Sequence, residues 1–471
     1  MRKTKIICTI GPASESPEVL SAMVEAGMNV ARINFSHGTH EEHAKKIETI
    51  RQVREKYDQP IAIMLDTKGP EYRIKTFANG PIMLREGEPF TLCVDDVPGD
   101  ETRVSVSYPG LAEDLNPGDR VLLANGLLAL DVERIEGGEI HCRVAIGGEL
   151  SDRKSMSFPG KVLNQVYLSE QDKSDLLFGI EHGVDYVACS FVSRKQDLID
   201  VREFVNAHGG KNLSLIAKIE NQSGIDNIEE ICEACEGIMI GRGDMGVEIP
   251  YEELPAVQKH LITKCRMIGK RVITATEMLE SMIHNARPTR AEISDVANAV
   301  YDGTSAVMLS GETAAGRHPV ESVAVMAKIA EATEGKIDYA ERFHADTSFI
   351  THDTVDAISH AVCGMAIDIG AKAIVVCSLS GKTARMISRF RAPVDILGVT
   401  TSDIAMRKLA LSWGVVPALS VEYTSTDVLF YVATQLAKEK LGLRPGDKIV
   451  ITGGVTNGKS GNTNLIKVEV I

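Results

Sequence analysis

Short apolar segments alternate with amphipathic stretches along most of this chain. Apolar segments of this length are typical of parallel strands buried on both faces, and the stretches between them have helical spacing. One stretch, residues 17–26, is followed by Gly27, a common residue at a helix C-terminus. The apolar segments are residues 5–10, 30–34, 61–65, 186–190, 213–219, 237–240, 271–274 and 306–309. Eight β-α units predict a closed parallel barrel, whose functional residues collect at the C-terminal ends of the strands.

The alternation is interrupted once, between the third and fourth segments. Residues 71–166 contain no convincing helix and show short alternating strands at 104–106, 121–123 and 130–132, with a turn at Gly137-Gly138. This pattern predicts a small all-β insertion that emerges from a βα loop. An insertion at that face of a barrel is placed to act as a lid.

A new α/β pattern begins after about residue 345. Residues 373–377 and 448–452 have the composition of core strands, and residues 354–370 and 426–439 have helical spacing. The predicted fold class is α/β: a (β/α)8 TIM barrel with an inserted small β-barrel lid domain and a C-terminal α/β domain. The predicted bounds are 1–70 and 167–345 for the barrel, 71–166 for the lid and 346–471 for the C-terminal regulatory domain.

Composition narrows the classes of partner. The 471 residues include 51 basic and 65 acidic side chains, a formal net charge of −14, so nucleic acid and anionic membranes are poor candidate partners. Apolar content of 44% is ordinary for a globular protein, and no apolar run approaches the ~20 residues that span a bilayer. The short run 6–10 fits a buried strand better than a secretory signal. We therefore expect a cytoplasmic protein without nucleic-acid or membrane partners.

The nine cysteines follow no disulfide framework. Their odd number and apolar surroundings favour small core residues in a reducing compartment. The close pair Cys232 and Cys235 lies in a helical pattern, and one such pair is weak evidence for metal or redox chemistry.

The strongest chemical signal lies at the end of the fifth segment. Strand periodicity places Lys218 and Glu220 on one face, and Asp244 follows the sixth segment in a glycine-rich stretch. An ammonium and two carboxylates suit a site that holds a phosphate and a divalent cation, because Mg²⁺ typically takes one or two carboxylates plus water and substrate. The alternative is a buried ion pair of Lys218 with Glu220 or Asp244, since such networks also occur in barrels.

A second polar cluster ends the second and third segments. Arg32, Asn34 and Ser36 alternate onto one face, and Asp66 and Thr67 follow the next strand. Arg32 has the fork geometry that binds a phosphoryl group. The other four offer oxygen ligands for a hard cation, although single residues of these types are more often caps or turns.

Further long motifs follow the seventh segment, at residues 274–278, 287–292, 295–298, 302–304 and 308–313. With these motifs, in this order and spacing, the whole chain resembles the pyruvate kinase family. The resemblance is to the bacterial type that has no extra C-terminal phosphoenolpyruvate-utilising domain.

The resemblance implies phosphate transfer from phosphoenolpyruvate to ADP, giving pyruvate and ATP in glycolysis, with Mg²⁺ (or Mn²⁺) and K⁺ as cofactors. It also implies a homotetramer. Catalytic and substrate-binding roles would fall on Arg32, Arg73, Lys218, Gly243, Asp244, Thr276 and Ser310. The Mg²⁺ ligands would be Glu220 and Asp244, and the K⁺ site would be Asn34, Ser36, Asp66 and Thr67, with Glu71 as the residue type seen in K⁺-dependent members.

Four positions depart from the family pattern: Ala124, Asn125, Gln171 and Glu277. Ala124 and Asn125 replace two acids of a lid motif, Gln171 replaces a lysine that meets the nucleotide phosphates, and Glu277 replaces a glutamine. One interpretation is neutral drift near the cleft, with Lys173 supplying the missing charge. The other is weaker ADP binding, by about 1–3 kcal/mol for one lost charged contact.

The C-terminal domain carries a candidate effector site. Ser378, Ser380, Gly381, Lys382 and Thr383 lie between a predicted strand and helix, where backbone N–H groups, hydroxyls and a lysine can hold a phosphate. A glycine-rich loop, residues 453–461, could close over it. The family binds sugar-phosphate or nucleotide effectors in this region, whereas an ordinary capped helix is the simpler explanation.

Two other functions remain open. Another Mg²⁺-dependent barrel enzyme of phosphoenolpyruvate or enolate chemistry, such as a C–C lyase, could share the Glu220 and Asp244 site but would not need the lid or the K⁺ cluster. A catalytically weakened relative that binds metabolites as a regulator would explain the four departures.

Overall fold

The structure is a computed structural model that describes residues 1–346, 349, 353–454 and 463–471. The chain begins with β1 (Lys5–Thr9), α1 (Pro17–Ala26), β2 (Val30–Asn34), α2 (His40–Tyr57) and β3 (Ala62–Asp66). Gly27 ends α1 with a φ of 116°, and its N–H donates to the carbonyls of Met23 and Val24. Only glycine adopts this backbone conformation without strain, so the predicted helix end is confirmed.

Residues 71–166, called the insertion below, form mostly strands. They are β4 (Tyr72–Arg73), β5 (Ile82–Leu84), β6 (Pro89–Cys93), β7 (Arg103–Ser105), β8 (Arg120–Leu123), β9 (Leu128–Glu136), β10 (Glu139–Ile146), β11 (Gly148–Leu150) and β12 (Ser155–Ser157), with a short helix α3 (Leu111–Asp114). The order β4-β12-β8-β9-β10-β6-β7 makes one sheet, and a bridge between Ile74 and Val106 joins its two edges into a small barrel. The expectation of no helix was wrong for α3, because a single turn is too short to show helical periodicity.

The chain then returns to the barrel. The elements are α4 (Glu170–Glu181), β13 (Tyr186–Cys189), α5 (Lys195–Ala207), β14 (Ser214–Ile219), α6 (Gln222–Asp226), α7 (Ile228–Ala234), β15 (Gly237–Gly241), α8 (Arg242–Glu248), α9 (Leu254–Met267), β16 (Arg271–Ala275), a 3₁₀ helix (Glu280–Ile283), α10 (Arg290–Asp302), β17 (Ala306–Leu309), α11 (Gly311–Ala314), α12 (Pro319–Glu334) and α13 (Tyr339–Ala345).

Eight parallel strands close the barrel in the order β1-β17-β16-β15-β14-β13-β3-β2. Strand β13 pairs with β3, with Tyr186 opposite Met64, so the insertion leaves the barrel and returns without disturbing its closure. All eight apolar segments overlap these strands, and the predicted TIM barrel is confirmed.

The barrel strands are apolar throughout because both of their faces are buried. Met64, Ile216 and Met239 pack inside the barrel, whereas Leu65 and Leu215 pack against the surrounding helices. This two-sided burial removes the alternation that marks a half-exposed strand. Polar side chains are therefore concentrated at the strand ends, and those at the C-terminal ends build the site.

The C-terminal part is a separate α/β domain. Its elements are α14 (Thr354–Asp368), β18 (Ala373–Cys377), α15 (Lys382–Ser388), β19 (Asp395–Thr400), α16 (Asp403–Leu409), β20 (Val415–Leu419), α17 (Thr426–Leu441), β21 (Lys448–Gly454) and β22 (Thr463–Val470). The sheet order is β20-β19-β18-β21-β22, parallel except for β22. The predicted strands and helices of this domain are confirmed. The domain packs under the N-terminal ends of the barrel strands, where Lys5 Nζ donates to the Val415 carbonyl at 2.7 Å.

Candidate active site

A cleft of about 820 Å³ lies between the mouth of the barrel and the insertion. Arg73 and Asn125 line it from the insertion, and Gly243, Asp244 and Glu277 line it from the ends of β15 and β16. The cleft therefore opens over the C-terminal ends of the strands, where barrel enzymes place their reactive groups.

The Lys218 ammonium lies between two carboxylates at the end of β14. Its Nζ is 3.2 Å from Asp66 Oδ1 and 3.1 Å from Glu220 Oε1, and it donates to Ser190 Oγ at 2.6 Å. Burial opposes the charge, but the two carboxylates outweigh burial and hold the pKa of Lys218 above its usual value. Lys218 therefore stays charged at neutral pH. The shared face of Lys218 and Glu220 is confirmed, and the alternative of a buried ion pair between them also holds.

Asp66 connects the two cations of the site. Its Oδ2 accepts from Arg32 Nε at 2.6 Å, while Oδ1 faces Lys218. Burial would raise the pKa of Asp66, but Arg32 and Lys218 together lower it below the ordinary value. Arg32 also donates to Thr9 Oγ1 at 2.8 Å, so the guanidinium is fixed in position on β2. Asp66 thus holds two cationic groups side by side, which suits a phosphoryl group.

The Glu220 and Asp244 carboxyls meet at the opposite side of Lys218 and share a hydrogen bond. Burial raises the pKa of Glu220 to about 7, with a further contribution from the nearby Asp244, and burial also raises the pKa of Asp244. Glu220 accepts from the Phe191 N–H at 2.8 Å, which fixes its orientation. Two acids that must share a proton can instead share a divalent cation, so their chemistry fits Mg²⁺.

Within the described ranges, no three His, Cys, Asp or Glu side chains converge in a way that could hold a metal ion. Two carboxylates with the other positions open to water and substrate is the arrangement that Mg²⁺ commonly takes beside phosphates.

Thr276 is held at the mouth in an unusual backbone conformation. Thr276 and Glu277 have φ values of 66° and 55°, and neither is glycine. Arg242 Nη2 donates to the Thr276 carbonyl at 2.6 Å, and the Gly243 N–H donates to Thr276 Oγ1 at 2.8 Å. Strained residues that the surroundings hold in place often occur at functional sites. Gly243 and Thr276, both of which the sequence predicts to bind substrate, are therefore in direct contact.

The predicted K⁺ ligands lie where β2 and β3 end. Asn34 and Asp66 are directly paired across the two strands, and Thr67 is buried beside them. Strand β2 ends at Asn34, however, so the expected alternation does not extend to Ser36, which lies in an exposed turn. The Ser36 N–H donates to Asn34 Oδ1 at 3.1 Å, which keeps Ser36 near the cluster. One carboxylate with amide and hydroxyl oxygens is a donor set that suits a monovalent cation.

Arg73 and Ser310 are the two remaining residues with predicted catalytic roles. Arg73 is bonded to Glu71 and donates to the Arg153 carbonyl at 2.6 Å, and both Arg73 and Glu71 line the cleft. Ser310 follows β17, and its Oγ is buried without a hydrogen-bond partner among the described residues. Such a hydroxyl is available to a ligand or to ordered water.

Three of the four positions that depart from the family pattern, Ala124, Asn125 and Glu277, line the cleft. Gln171 is not part of that lining; it lies exposed on the first turn of α4 and donates to Asp175 Oδ1 at 2.8 Å. Lys173 is bonded to Glu170 at 2.6 Å, and a separation of two residues places it on another face of the helix from Gln171. Lys173 therefore does not place its ammonium where a lysine at position 171 would place one, which argues against its supplying the missing charge.

The predicted effector loop connects β18 to α15. Gly381 has a φ of 72° and Lys382 is exposed, whereas Thr383 is buried with its hydroxyl 2.6 Å from Thr463 Oγ1. The contact with Thr463 is enough to explain why Thr383 is buried, and its role in binding an effector stays a prediction. Of the predicted glycine-rich loop, residues 455–461 lie outside the described residues.

Two residues of the site, Ser190 and Arg242, were not predicted from the sequence. Ser190 Oγ accepts a hydrogen bond from Lys218 Nζ and donates to the Thr67 carbonyl at 2.7 Å, so it links β13 to β3 and β14. Its position as the polar end of the fourth apolar segment was the available signal. Arg242 is buried and donates to Asp295 at 2.8 Å. No local sequence signal predicts this role, because its partners lie far along the chain.

All nine cysteines are buried free thiols, and Cys232 Sγ lies 3.9 Å from Cys265 Sγ. Across the part of the chain that the structure describes, the helices lack the length and apolar character that crossing a bilayer requires.

A parallel barrel with a charged lysine, an arginine and paired acids at its mouth is typical of an enzyme that acts on anionic substrates. Comparisons with known proteins give the same class. Residues 1–323 match the family model described as pyruvate kinase, barrel domain, and residues 356–469 match pyruvate kinase, alpha/beta domain. The chain belongs to the pyruvate kinase family and is a phosphotransferase.

Relatives support this membership over the whole chain. The pyruvate kinase of Geobacillus stearothermophilus is 47% identical over 472 residues, covering 100% of this chain and 80% of that protein. That of Clostridium acetobutylicum is 45% identical and covers 100% of both. A crystal structure of a pyruvate kinase from Cryptosporidium parvum matches with a TM-score of 0.95 at 37% identity, covering 100% of this chain and 96% of that one.

Proposed function

We propose that this chain transfers the phosphoryl group of phosphoenolpyruvate to ADP, giving pyruvate and ATP. In this reaction the P–O bond to the enol oxygen breaks, a P–O bond to the terminal phosphate of ADP forms, and the enolate takes a proton at carbon. The observation that carries the proposal is the buried Lys218 ammonium, held between Asp66 and Glu220 with Arg32 on the far side of Asp66.

Lys218 and Arg32 would bind the transferring group from two sides. Phosphoryl transfer depends mainly on positioning and on neutralising charge spread over the phosphoryl oxygens, and both cations are fixed before substrate arrives. Arg73 would contact the phosphate from the edge of the insertion. The N–H groups near Gly243 and Asp244, with the Thr276 hydroxyl, would bind the substrate carboxylate.

Glu220 and Asp244 would hold Mg²⁺ or Mn²⁺. When bound, the ion polarises the phosphate ester and neutralises charge in the transition state. Asn34, Ser36, Asp66 and Thr67 would hold K⁺, with Glu71 nearby. Both sites are inferred from the donor atoms, since two acids that share a proton and a cluster of neutral oxygens around one carboxylate suit a divalent and a monovalent cation respectively.

Lys218 would stabilise the enolate charge and would not itself protonate carbon. Its two carboxylate neighbours hold its pKa above the usual value, so it releases its proton reluctantly. The proton would come from a water or relay near Thr276 and Ser310. Ser310 Oγ supports this position, because it is buried without a partner in the part of the chain that the structure describes and a water there would complete its hydrogen bonding.

The test is a coupled assay for pyruvate from phosphoenolpyruvate, with ADP, Mg²⁺ and K⁺ each omitted in turn. Pyruvate that appears only with ADP and both ions supports the proposal. Formation without ADP would favour the other Mg²⁺-dependent barrel chemistry, such as C–C cleavage. No turnover under any condition would favour a metabolite-binding regulator.

A phosphate effector of the sugar-phosphate or nucleotide type is part of the proposal, at Ser378, Ser380, Gly381, Lys382 and Thr383. The exposed Lys382 and the left-handed Gly381 support it. Fructose 1,6-bisphosphate, ribose 5-phosphate or AMP should raise the rate at low phosphoenolpyruvate, and Lys382→Gln should weaken that activation. If none of the three activated the enzyme, the proposal of an effector site at these residues would be wrong.

We also propose a homotetramer and the domain bounds 1–70 with 167–345, 71–166 and 346–471. β22 lies at the edge of its sheet and exposes Val468 and Val470, by 44% and 60%, which supports contact with another copy. Light scattering should give a mass four times 51.0 kDa, and a monomer at micromolar concentration would contradict the assembly.

A further inference from the structure

Helix α8 lines the cleft at both of its ends. Its first turn carries Gly243 and Asp244, which face the site. Its last residue, Glu248, lies one turn beyond Asp244, about 6 Å along the helix axis at a rise of about 1.5 Å per residue. Glu248 has no part in the proposed chemistry, so the contacts of its carboxyl with the insertion must have another role.

The Glu248 carboxyl is bonded to the insertion. The Phe158 N–H donates to Glu248 Oε1 at 3.3 Å, and the Ser157 hydroxyl also hydrogen-bonds this carboxyl. Among the described residues, both of its hydrogen bonds therefore cross from the barrel to the end of β12. Burial raises the pKa of Glu248 to about 7, with a small contribution from Asp244 one turn earlier. Lys161 and Asp226 line the small cavity beside it.

A second contact reaches the same end of α8. The turn between β8 and β9 is left-handed at three successive residues, Ala124, Asn125 and Gly126, with φ values of 52°, 57° and 81°. A Cβ atom at Gly126 would lie 3.3 Å from Val247 Cγ1, so the turn rests against α8 beside Glu248. Two separate strands of the insertion thus meet two neighbouring residues of one helix.

The other end of α8 is fixed to the site. Arg242 bonds the Thr276 carbonyl and Asp295, and the Gly243 N–H bonds Thr276 Oγ1. Met245 is fully buried between the two ends. A helix of seven residues with a buried centre moves as one body, and rigid elements of this kind carry coupling between contacts at their ends.

We propose that Glu248 is a positioning residue, which transmits the position of the insertion through α8 to Asp244. This inference rests on the proposed function, because Asp244 acts there as a metal ligand. When the insertion contacts α8 through Glu248 and Val247, Asp244 is held opposite Glu220. When the Glu248 contact is lost, the helix and the insertion separate and the two carboxylates lose their alignment.

The test compares Glu248→Leu, which removes the acceptor, with Glu248→Gln, which keeps an acceptor oxygen of the same reach. We expect Glu248→Leu to lower kcat by about 10–100-fold and to raise the Mn²⁺ concentration for half-saturation by about 5–10-fold, measured by equilibrium titration without substrate. Glu248→Gln should stay within about threefold of the wild type. Hydrogen exchange at the Phe158 amide should become at least about tenfold faster in Glu248→Leu only.

Asp226→Asn is the matched control. Asp226 lines the same small cavity as Glu248 but is bonded to Gln222 within α6, at 2.8 Å, so its loss should leave kcat and Mn²⁺ binding unchanged. Ser157→Ala tests the other side of the contact and disturbs folding less. Its effect should not add to that of Glu248→Leu, because both remove one interaction.

The inference is overturned if folded Glu248→Leu keeps wild-type kcat and Mn²⁺ affinity, if Glu248→Gln is as impaired as Glu248→Leu, or if the Ser157→Ala effect is fully additive. An equal loss of kcat and Mn²⁺ affinity in Asp226→Asn would also overturn it, because removal of any negative charge near this cavity would then explain the result. These outcomes are distinct from failure of the proposed function, in which the wild-type chain itself forms no pyruvate.

Discussion

Two buried lysines at opposite ends of the barrel, Lys218 and Lys5, have pKa values shifted in opposite directions. At the C-terminal mouth, Lys218 lies between Asp66 and Glu220, and these acids hold its pKa above the usual value. At the N-terminal end, Lys5 is also buried but donates at 2.7 Å to a backbone carbonyl, that of Val415. Burial there, together with the positive charge of Arg2, lowers the pKa of Lys5 to about 7.

The difference shows that the partner, and not burial alone, decides in which direction the pKa of a buried cation moves. Arg391 at the N-terminal end follows Lys5: it donates to the Gly303 carbonyl at 2.9 Å and Ser305 Oγ at 3.1 Å, and burial lowers its pKa to about 9. Lys5 and Arg391 thus join the barrel to the C-terminal domain through carbonyls and a hydroxyl, beside ion pairs such as that of Lys3 Nζ with Asp395 Oδ1 at 3.0 Å. At the mouth, Asp66 and Glu220 instead keep the Lys218 ammonium charged.

The largest expected effect comes from removing the charge at the mouth. Lys218→Met should lower kcat by about a thousandfold or more, roughly 4 kcal/mol of lost transition-state stabilisation, because Asp66 and Glu220 also lose their cation. The measurement is pyruvate formation with saturating Mg²⁺ and K⁺.

Lys5→Met is the matched substitution at the other end and should leave kcat within about threefold. Thermal unfolding of both variants verifies that each is folded. If the two variants lost activity equally, the functional contrast between the ends of the barrel would be wrong.

A smaller effect concerns stability and pH at the N-terminal end. The pKa of Lys5 is about 7 in the folded chain and 10.5 without burial, so between these values the unfolded chain binds more protons. Stability should therefore rise with pH through this window, by at most about 1.4 kcal/mol per pH unit, since the folded state loses the cost of a buried charge.

Thermal unfolding from pH 7.5 to 9 measures this effect, which should be up to about 2 kcal/mol. The Lys5→Met variant should lack this rise, because it has no proton to lose. A rise of the same size in both proteins would assign the pH dependence to other groups.

The smallest expected effect comes from adding a positive charge at position 171, on the first turn of α4. Gln171→Lys should lower the KM for ADP by about fivefold, roughly 1 kcal/mol, which is the lower end of the range for one charged contact because position 171 is exposed to solvent. The KM for phosphoenolpyruvate should not change.

Lys173→Gln is the control for this prediction. Lys173 pairs with Glu170 on another face of α4, so its loss should leave the KM for ADP unchanged. An unchanged KM in Gln171→Lys would support neutral drift at this position.

The apolar pattern of this sequence was sufficient to predict the eight barrel strands, the position of the insertion and the C-terminal α/β domain. Strands buried on both faces must be continuously apolar, and the helices that cover them must be amphipathic. Each of these elements can therefore be predicted from a short stretch of sequence. The same locality explains why Lys218 and Glu220, two residues apart, were correctly placed together.

Tertiary structure alone decided which distant residues meet at the mouth. Asp66 and Lys218 are 152 positions apart, and Phe158 reaches Glu248 from the insertion across 90 positions. The end of β2 at Asn34, which leaves Ser36 in a turn, is likewise a result of how the strands pack. The sequence determines where a side chain lies along its own element, but the closure of the barrel determines its partners, and partners set the charge and the alignment on which chemistry depends.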